Sequence, residues 1–216
     1  KAAVKGKATP YAWLVLVLVL VGRISHQMQQ QGLGYIYGFS GTGIKAANPI
    51  YEIQMAFPEL ATSYGMLSGP AFSISYAIAG IFMGLLVDKM SRKRLLVLAI
   101  TIFSASTMVS SVTSSFYVLF LMRFILGMFV SATEPAGFSM LGDYFPKSVR
   151  TTANAVLGTG AYLGSGFSSL LILIVGAYGW RAAYAFNGAL GLLVGVLGML
   201  VIREPERGLF KKIEDE

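Results

Sequence analysis

Six stretches of this chain stay apolar for long enough to cross a bilayer, and short polar joints separate them. A helical span needs about 20 predominantly apolar residues. On that measure the pattern predicts helices near 11–36, 63–87, 94–112, 116–141, 151–176 and 181–202. The first is the most polar. Its apolar part, Tyr11 to Gly22, gives way to Arg23, His26 and four glutamines before Gly34 and Tyr35. Residues 38–62 read as a connection punctuated by Gly41, Gly43, Pro49 and Pro58, with room for a short interfacial helix. The prediction is an all-α membrane protein with its bundle over 11–202, preceded by a basic segment at 1–10.

Composition agrees. The 216 residues are 55% hydrophobic and only 12% charged, against about 25% charge in a soluble domain. A net charge of +7 could signal nucleic acid, but the positions of the charges argue otherwise. Lys1, Lys5, Lys7, Lys89, Arg92, Lys93, Arg94, Lys147, Arg150, Arg203, Arg207, Lys211 and Lys212 all fall on one side of a six-span topology. Only Lys45 and Arg181 fall in loops on the other side, while Arg23 and Arg123 lie within spans. The positive-inside rule therefore puts both termini on the cytoplasm-like side and accounts for the basicity without nucleic acid. It does not choose between a plasma membrane and an organelle such as the mitochondrial inner membrane. The first residue is Lys rather than Met, which reads as a processed or truncated start.

Small residues mark helix contacts in lipid, where apolar surface gives no net drive to associate. Gly158, Gly160, Gly164 and Gly166 in the fifth span, and Gly188, Gly191, Gly195 and Gly198 in the sixth, read as such contacts.

Charges inside a span cost about 2.5–3.5 kcal/mol each on insertion scales, so they are the first functional candidates. Arg123 and Glu134 are eleven residues apart, which returns them to nearly one helix face about 16 Å apart along the axis. They are too distant to pair with each other, so each needs another partner. Gly127 shares their face, and Pro135 is expected to bend the helix. Glu134 reads as a protonatable coupling site or gate, or as a structural hydrogen-bonding group. Arg123 reads as a structural ion pair or carbonyl clamp, or as a binder of an anionic substrate. Arg23, Gln27, Gln30 and Gly34 recur at helical spacing and share one face of the first span. That face would line an aqueous cavity on the substrate path, with Arg23 and Gln27 near the depth of Arg123. The alternative puts the glutamines at the outer interface. His26 is the one histidine, and imidazole titrates near neutrality; it is a proton-coupling candidate or an incidental interfacial group.

Between the second and third spans runs Gly84-Leu-Leu-Val-Asp88-Lys-Met-Ser-Arg92-Lys-Arg94, with five charges in its last seven residues. Asp88 and Arg92 are four apart and could form an exposed helix pair. The whole pattern resembles the loop between helices 2 and 3 of the major facilitator superfamily. Arg123-Phe-Ile-Leu-Gly127 resembles its helix 4. Thr133-Glu-Pro-Ala136, Asp143-Tyr-Phe-Pro146 with Arg150, Gly179-Trp-Arg181 and Arg203-Glu-Pro205 resemble the branch that holds organic-anion symporters and spinster-like lipid transporters. The resemblance covers most of residues 63–207. It implies the N-terminal six-helix bundle of a major-facilitator fold, with residues 203–216 opening the central linker and a substrate site at the interface with a second bundle. It also implies a gate in which Asp88 caps a helix of that second bundle while Arg92 and Arg94 meet acids such as Asp143. Two departures stand out. The branch has an Asp-Arg pair in helix 1 where this chain reads Tyr35-Ile-Tyr-Gly38, and Ser91 replaces the loop glycine.

No P-loop or Gly-x-Ser-x-Gly is present, and with one His and no Cys the common metal clusters are excluded. The expected function is secondary-active or facilitative transport of a small organic solute, leaning anionic, by alternating access, with no cofactor and no enzyme activity. The expected partners are the lipid bilayer, the solute and a second six-helix bundle, fused or separate. The other reading is a transporter-like architectural subunit held among other membrane proteins in a larger complex.

Overall fold

The computed structural model describes residues 8–205. The basic positions up to Lys7, and those from Arg207 onward, lie outside the described residues. Within them run α1 (Pro10–Tyr37), α2 (Ile53–Ala56), α3 (Leu60–Ser68), α4 (Pro70–Lys89), α5 (Arg92–Val112), α6 (Phe116–Tyr144), α7 (Lys147–Ser169), α8 (Leu171–Tyr178) and α9 (Trp180–Val201). Six segments are long and apolar enough to span a membrane, the second formed by α3 with α4 and the fifth by α7 with α8.

The helix starts follow local chemistry. Thr9 caps α1 by accepting from Ala12 N at 3.2 Å, with Pro10 in the first turn; a proline is tolerated there because that N–H has no intrahelical partner. Ser91 caps α5 through Arg94 N at 3.3 Å. Pro135 leaves α6 unbroken from Phe116 to Tyr144. The second span, expected to be continuous, is instead broken at Gly69-Pro70, where Gly69 leaves the helical region at φ −101°, ψ −92°. Proline disfavours helical geometry in the residue before it and has no N–H to give the preceding turn. The fifth span is broken at Leu170, across which Leu170 N bonds Phe167 O and Leu173 N bonds Leu170 O, both three residues back. Residues 38–59 contain a single 3-10 turn and the four-residue α2 as regular structure.

The bundle is layered along its length. One apolar cluster joins Val15, Leu16, Phe103, Met140 and Phe145. A second joins Leu33, Ile53, Phe57, Leu119 and Trp180. Between them lies a polar layer centred on Gln29. Laterally, α5 packs on α6 and α9, α4 packs on α6, and α1 packs on α7 and α9. Gly164 lets α1 and α7 close up: a Cβ there would fall 2.6 Å from Gln27 Cβ and 2.7 Å from Ile24 O.

The polar ends segregate. At one end Tyr11 Oη donates to Val201 O at 2.7 Å and accepts from Arg203 N, Tyr144 Oη donates to Arg203 O, and Arg92 pairs with Asp143. At the other end Lys45 Nζ donates to Gly176 O, Trp180 Nε1 donates to Pro49 O at 2.8 Å, and Arg181 donates to Ser111 O at 2.9 Å. Gly179, at φ +90° and tight against Ile50 O, makes that second corner; a side chain there would be strained in both respects.

Glu204 closes the first end. Its carboxylate accepts from Ser91 Oγ, from Arg92 N at 3.0 Å and from Lys93 N at 2.8 Å, so a residue from beyond α9 satisfies the orphan donors of α5. Partial burial pushes the Glu204 carboxyl up. The hydrogen bonds from Ser91, Lys93 and Arg92, with the Arg92 charge, outweigh it and hold the group below the ordinary glutamate range. A carboxylate with a depressed pKa contributes stability at neutral pH that is lost as pH falls through its folded-state value. Glu204→Gln is therefore expected to lower detergent-phase thermal stability by about 1 kcal/mol at pH 7, the scale of a lost cap. The difference from wild type should shrink as pH drops below about 4. Melting curves of both proteins between about pH 7 and about pH 2.5 measure it, and a pH-independent difference across that window would contradict the assignment.

Candidate functional site

Between α1 and α4 a cleft opens, with α6 as its floor. Two cavities occupy it. One, of about 440 Å³, is lined by Gln30, Gln31, Tyr64, Phe72, Ser73 and Arg123 among others. The other, of about 350 Å³, is lined by His26, Gln27, Gln30, Phe72, Tyr76 and Glu134 among others. Gln30, Phe72 and Ser73 belong to both, so the two are compartments of one cleft.

Glu134 pairs with Arg23 across α6 and α1 at 2.8 Å, the carboxylate side chain 37% and the guanidinium side chain 14% exposed. The Arg23 guanidinium also lies over the Phe138 ring at 5.5 Å, and its Nε is buried without a partner. This pair is open on its Glu134 side. Arg123 is different. It is 5% exposed, and its guanidinium donates to Gln29 O at 3.2 Å and to Gln30 O at 3.0 Å. Its Nε too is buried without a partner, and among the described residues it forms no ion pair. The arginine thus ties α6 to the α1 backbone and carries an uncompensated positive charge at the cleft wall.

This geometry corrects one expectation. Arg23 is level with Glu134, and Arg123 is level with Gln29 and Gln30, about two turns farther along α1. The bounds of α1 agree with the expected 11–36, so the offset lies in how far α1 is set along α6, which spacing within either helix does not fix.

His26 is buried, with Nε2 3.3 Å from Gln30 Oε1 and Nδ1 3.5 Å from Thr133 Oγ1, next in chain to Glu134. It lies inside the bundle rather than at an interface. Gln27 packs against Gly164 and reaches the second cavity. Gln31 donates to Ser165 Oγ at 3.0 Å.

Gln29 is the group sequence reasoning missed. Its Nε2 lies within hydrogen-bonding distance of Ser25 Oγ, Ser104 Oγ and Asn187 O, and its Oε1 accepts from Thr107 Oγ1 at 2.6 Å. One side chain therefore joins α1, α5 and α9 at mid-depth. Buried polar groups without such partners are costly in hydrocarbon. The available signal was the run Gln29-Gln30-Gln31, whose members must point in three directions on a helix.

The residues of the loop motif divide. Arg92 pairs with Asp143 and donates to Ser139 O at 3.1 Å, which fixes the start of α5 on the end of α6. Arg150 donates from Nε and Nη2 to Phe145 O, both at 3.2 Å, placing a cation at the C-terminal end of α6, where it complements the helix dipole. Arg94 is exposed and donates its backbone N–H to Ser91. Asp88 is exposed in the last turn of α4, and the space beside Gly84 is open. No group of His, Asp and Glu among the described residues is arranged to hold a metal ion.

These features define an integral multi-pass α-helical membrane protein whose six-helix bundle carries a polar cleft at hydrocarbon depth. The chain belongs to the Major Facilitator Superfamily, whose profile matches residues 33–215. It is 26% identical over 181 residues to the Quinolone resistance protein NorA of Staphylococcus aureus, a match covering 81% of this chain and 46% of that protein. It is 32% identical over 166 residues to the Sphingosine-1-phosphate transporter SPNS2 of Danio rerio, covering 75% of this chain and 33% of that one. Among solved structures, a bacterial homolog to the human lysosomal transporter Spinster, inward-facing and occupied, is similar with a TM-score of 0.78 at 22% identity, over 95% of this chain and 47% of that chain. At that identity the likeness is one of fold. The chain spans about half or less of the length of the curated relatives it matches. It fits the N-terminal six-helix half of a superfamily member.

Proposed function

We propose that this bundle is one half of a secondary transporter that moves a small organic solute by alternating access. The observation that carries the reading is the Arg23–Glu134 pair, set at mid-depth with its carboxylate open to the cleft. Intramembrane ionisable groups are expensive, and pairs that face a cavity mark solute or proton pathways. In this reading Glu134 takes up and releases the coupling proton, and Arg23 exchanges its partner as the carboxyl is neutralised. Gln27 and Gln30 orient the solute. Arg123 and Glu134 line the cleft, with Arg23 behind Glu134; Arg123, which forms no ion pair among the described residues, favours an anionic solute. The end bearing Arg92, Asp143 and Arg203 faces the cytoplasm-like side, in line with the basic residues concentrated there. Gly84, Asp88 and Arg94 meet the second bundle, and the Arg92–Asp143 contact belongs to the gate that opens and closes with rocking. SPNS2 and NorA, named for transport and for drug resistance, lend the reading support by kinship.

The test is composition and flux. The protein isolated in mild detergent is expected to carry a second six-span bundle, fused or separate, by mass measurement. Reconstituted in vesicles, it should accumulate an organic anion when a proton gradient is imposed. Recovery among many unrelated subunits with no solute flux would favour an architectural role. A stable isolated six-span monomer would contradict both.

A further inference from the structure

A second large cavity lies on the opposite side of α1 from the cleft. It measures about 540 Å³, and its walls are apolar: Ile24 and Met28 from α1, Leu173 and Ile174 from α8, and Phe186 and Leu190 from α9 are representative. Leu170, which keeps helical dihedrals at φ −68°, ψ −17°, lies in its wall, where α8 packs beside α1 and α9. The groove lies within the spanning segments. Leu190 is ten residues into α9, about 15 Å from its start. Leu173 and Phe186 are exposed at its rim, at 68% and 50%. An apolar groove open at hydrocarbon depth offers water no hydrogen-bond partners and takes hydrocarbon instead.

One end of the groove carries a cation. Lys45 donates to Gly176 O, and Gly176 is two residues beyond Ile174 on α8, about 3 Å along its axis. The ammonium also faces the Tyr51 ring at 5.3 Å. Around it Ile44 and Ile50 are 90% and 60% exposed, an arrangement suited to an interfacial segment with its apolar side chains turned toward lipid. A lysine at this level keeps its charge at the headgroups while its stem covers apolar surface.

We propose that this groove holds one acyl chain of a membrane phospholipid, whose phosphate lies against Lys45. The bound lipid fills the groove walled by α1, α8 and α9. It is separate from the cleft between α1 and α4, so the site stands whether or not the protein transports.

The test uses the natural full-length protein, purified in mild detergent and examined by native mass spectrometry. About one phospholipid per chain should survive detergent exchange, with anionic headgroups enriched over zwitterionic ones. Leu173→Trp fills the slot from an exposed position. It should lower lipid retention about tenfold, since several buried methylenes are displaced, with no change in gel-filtration profile. Lys45→Gln should keep the chain in the groove but remove the headgroup preference. A phospholipid bearing a photoreactive acyl chain should label α8 and α9 between Leu171 and Leu190 in preference to the lipid-exposed face of α4 around Ile78 and Phe82. Equal retention by wild type and Leu173→Trp, or uniform labelling of all spans, would overturn the proposal.

Discussion

Glu134→Gln is expected to reduce gradient-driven uptake to background while leaving solute binding and exchange largely intact. The amide is nearly isosteric, so the packing over α1 is kept. It cannot release a proton, so a cycle that requires the carboxyl to charge and discharge stops. The cost in stability should be smaller than for a fully buried pair. Breaking a buried pair costs about 3–5 kcal/mol, but Glu134 is 37% exposed on its cleft side, and solvent compensates in part. About 1–2 kcal/mol is the expected loss, arising mainly from Arg23, whose Nε is already without a partner. The pair gives its own control. If Arg23→Gln is added to Glu134→Gln, much of the stability should return, because neither charge is then left alone, while uptake stays absent. A double-mutant cycle on melting temperature, run beside vesicle uptake, separates the two roles. Parallel loss of binding, folding and uptake in the single variant would make Glu134 a structural group.

Gly127→Leu is expected to prevent the bundle from assembling. Here α4 and α6 cross with almost no space between them. A Cβ on Gly127 would meet Ser75 Oγ and lie 2.6 Å from Phe72 O, and backbone cannot move aside as a flexible side chain can. Overpacking a closed core costs about 1–3 kcal/mol, so Gly127→Ala should fall near the upper end and Gly127→Leu beyond it. Because Phe72 also lines both cleft compartments, partial separation of α4 from α6 should weaken solute binding before it abolishes expression. Gly158→Ala is the contrast, since a Cβ there meets nothing within 4 Å; it should be neutral or gain about 0.5–1 kcal/mol through helix propensity. Fluorescence size-exclusion of the three variants measures the order, and equal behaviour of Gly127→Ala and Gly158→Ala would refute it.

Both results turn on features that differ in how far the sequence carried them. The number of spans was legible because hydrocarbon thickness sets a length and excludes charge, and both constraints are written along the chain. Gly127 was legible as a member of the polar face of α6, but its role as the α4 crossing point was not, since nothing in its own helix names the partner. Arg123 and Glu134 were legible as candidates, and their spacing ruled out pairing with each other. Their partners were another matter. Arg23 met Glu134, and Arg123 met two carbonyls of α1, because the lengthwise register of α1 against α6 is set by packing between the two helices and is written in neither.

What the chain alone determined is six spans, a basic end and the polar faces of α1 and α6; the caps at Thr9 and Ser91 and the break at Gly69-Pro70 have local causes but went unread until the structure showed them. What only the tertiary structure decided depends on groups distant in sequence. Gln29 became the hub of α1, α5 and α9, Glu204 became the cap of α5 from 111 residues beyond Lys93, and Leu170, an ordinary apolar residue, became part of the wall of a groove between α1, α8 and α9. The physical reason is common to all three. Hydropathy and helix propensity report each residue's transfer and local conformational energies, whereas a buried polar group or an interhelical gap is settled by the geometry of the helices that meet there.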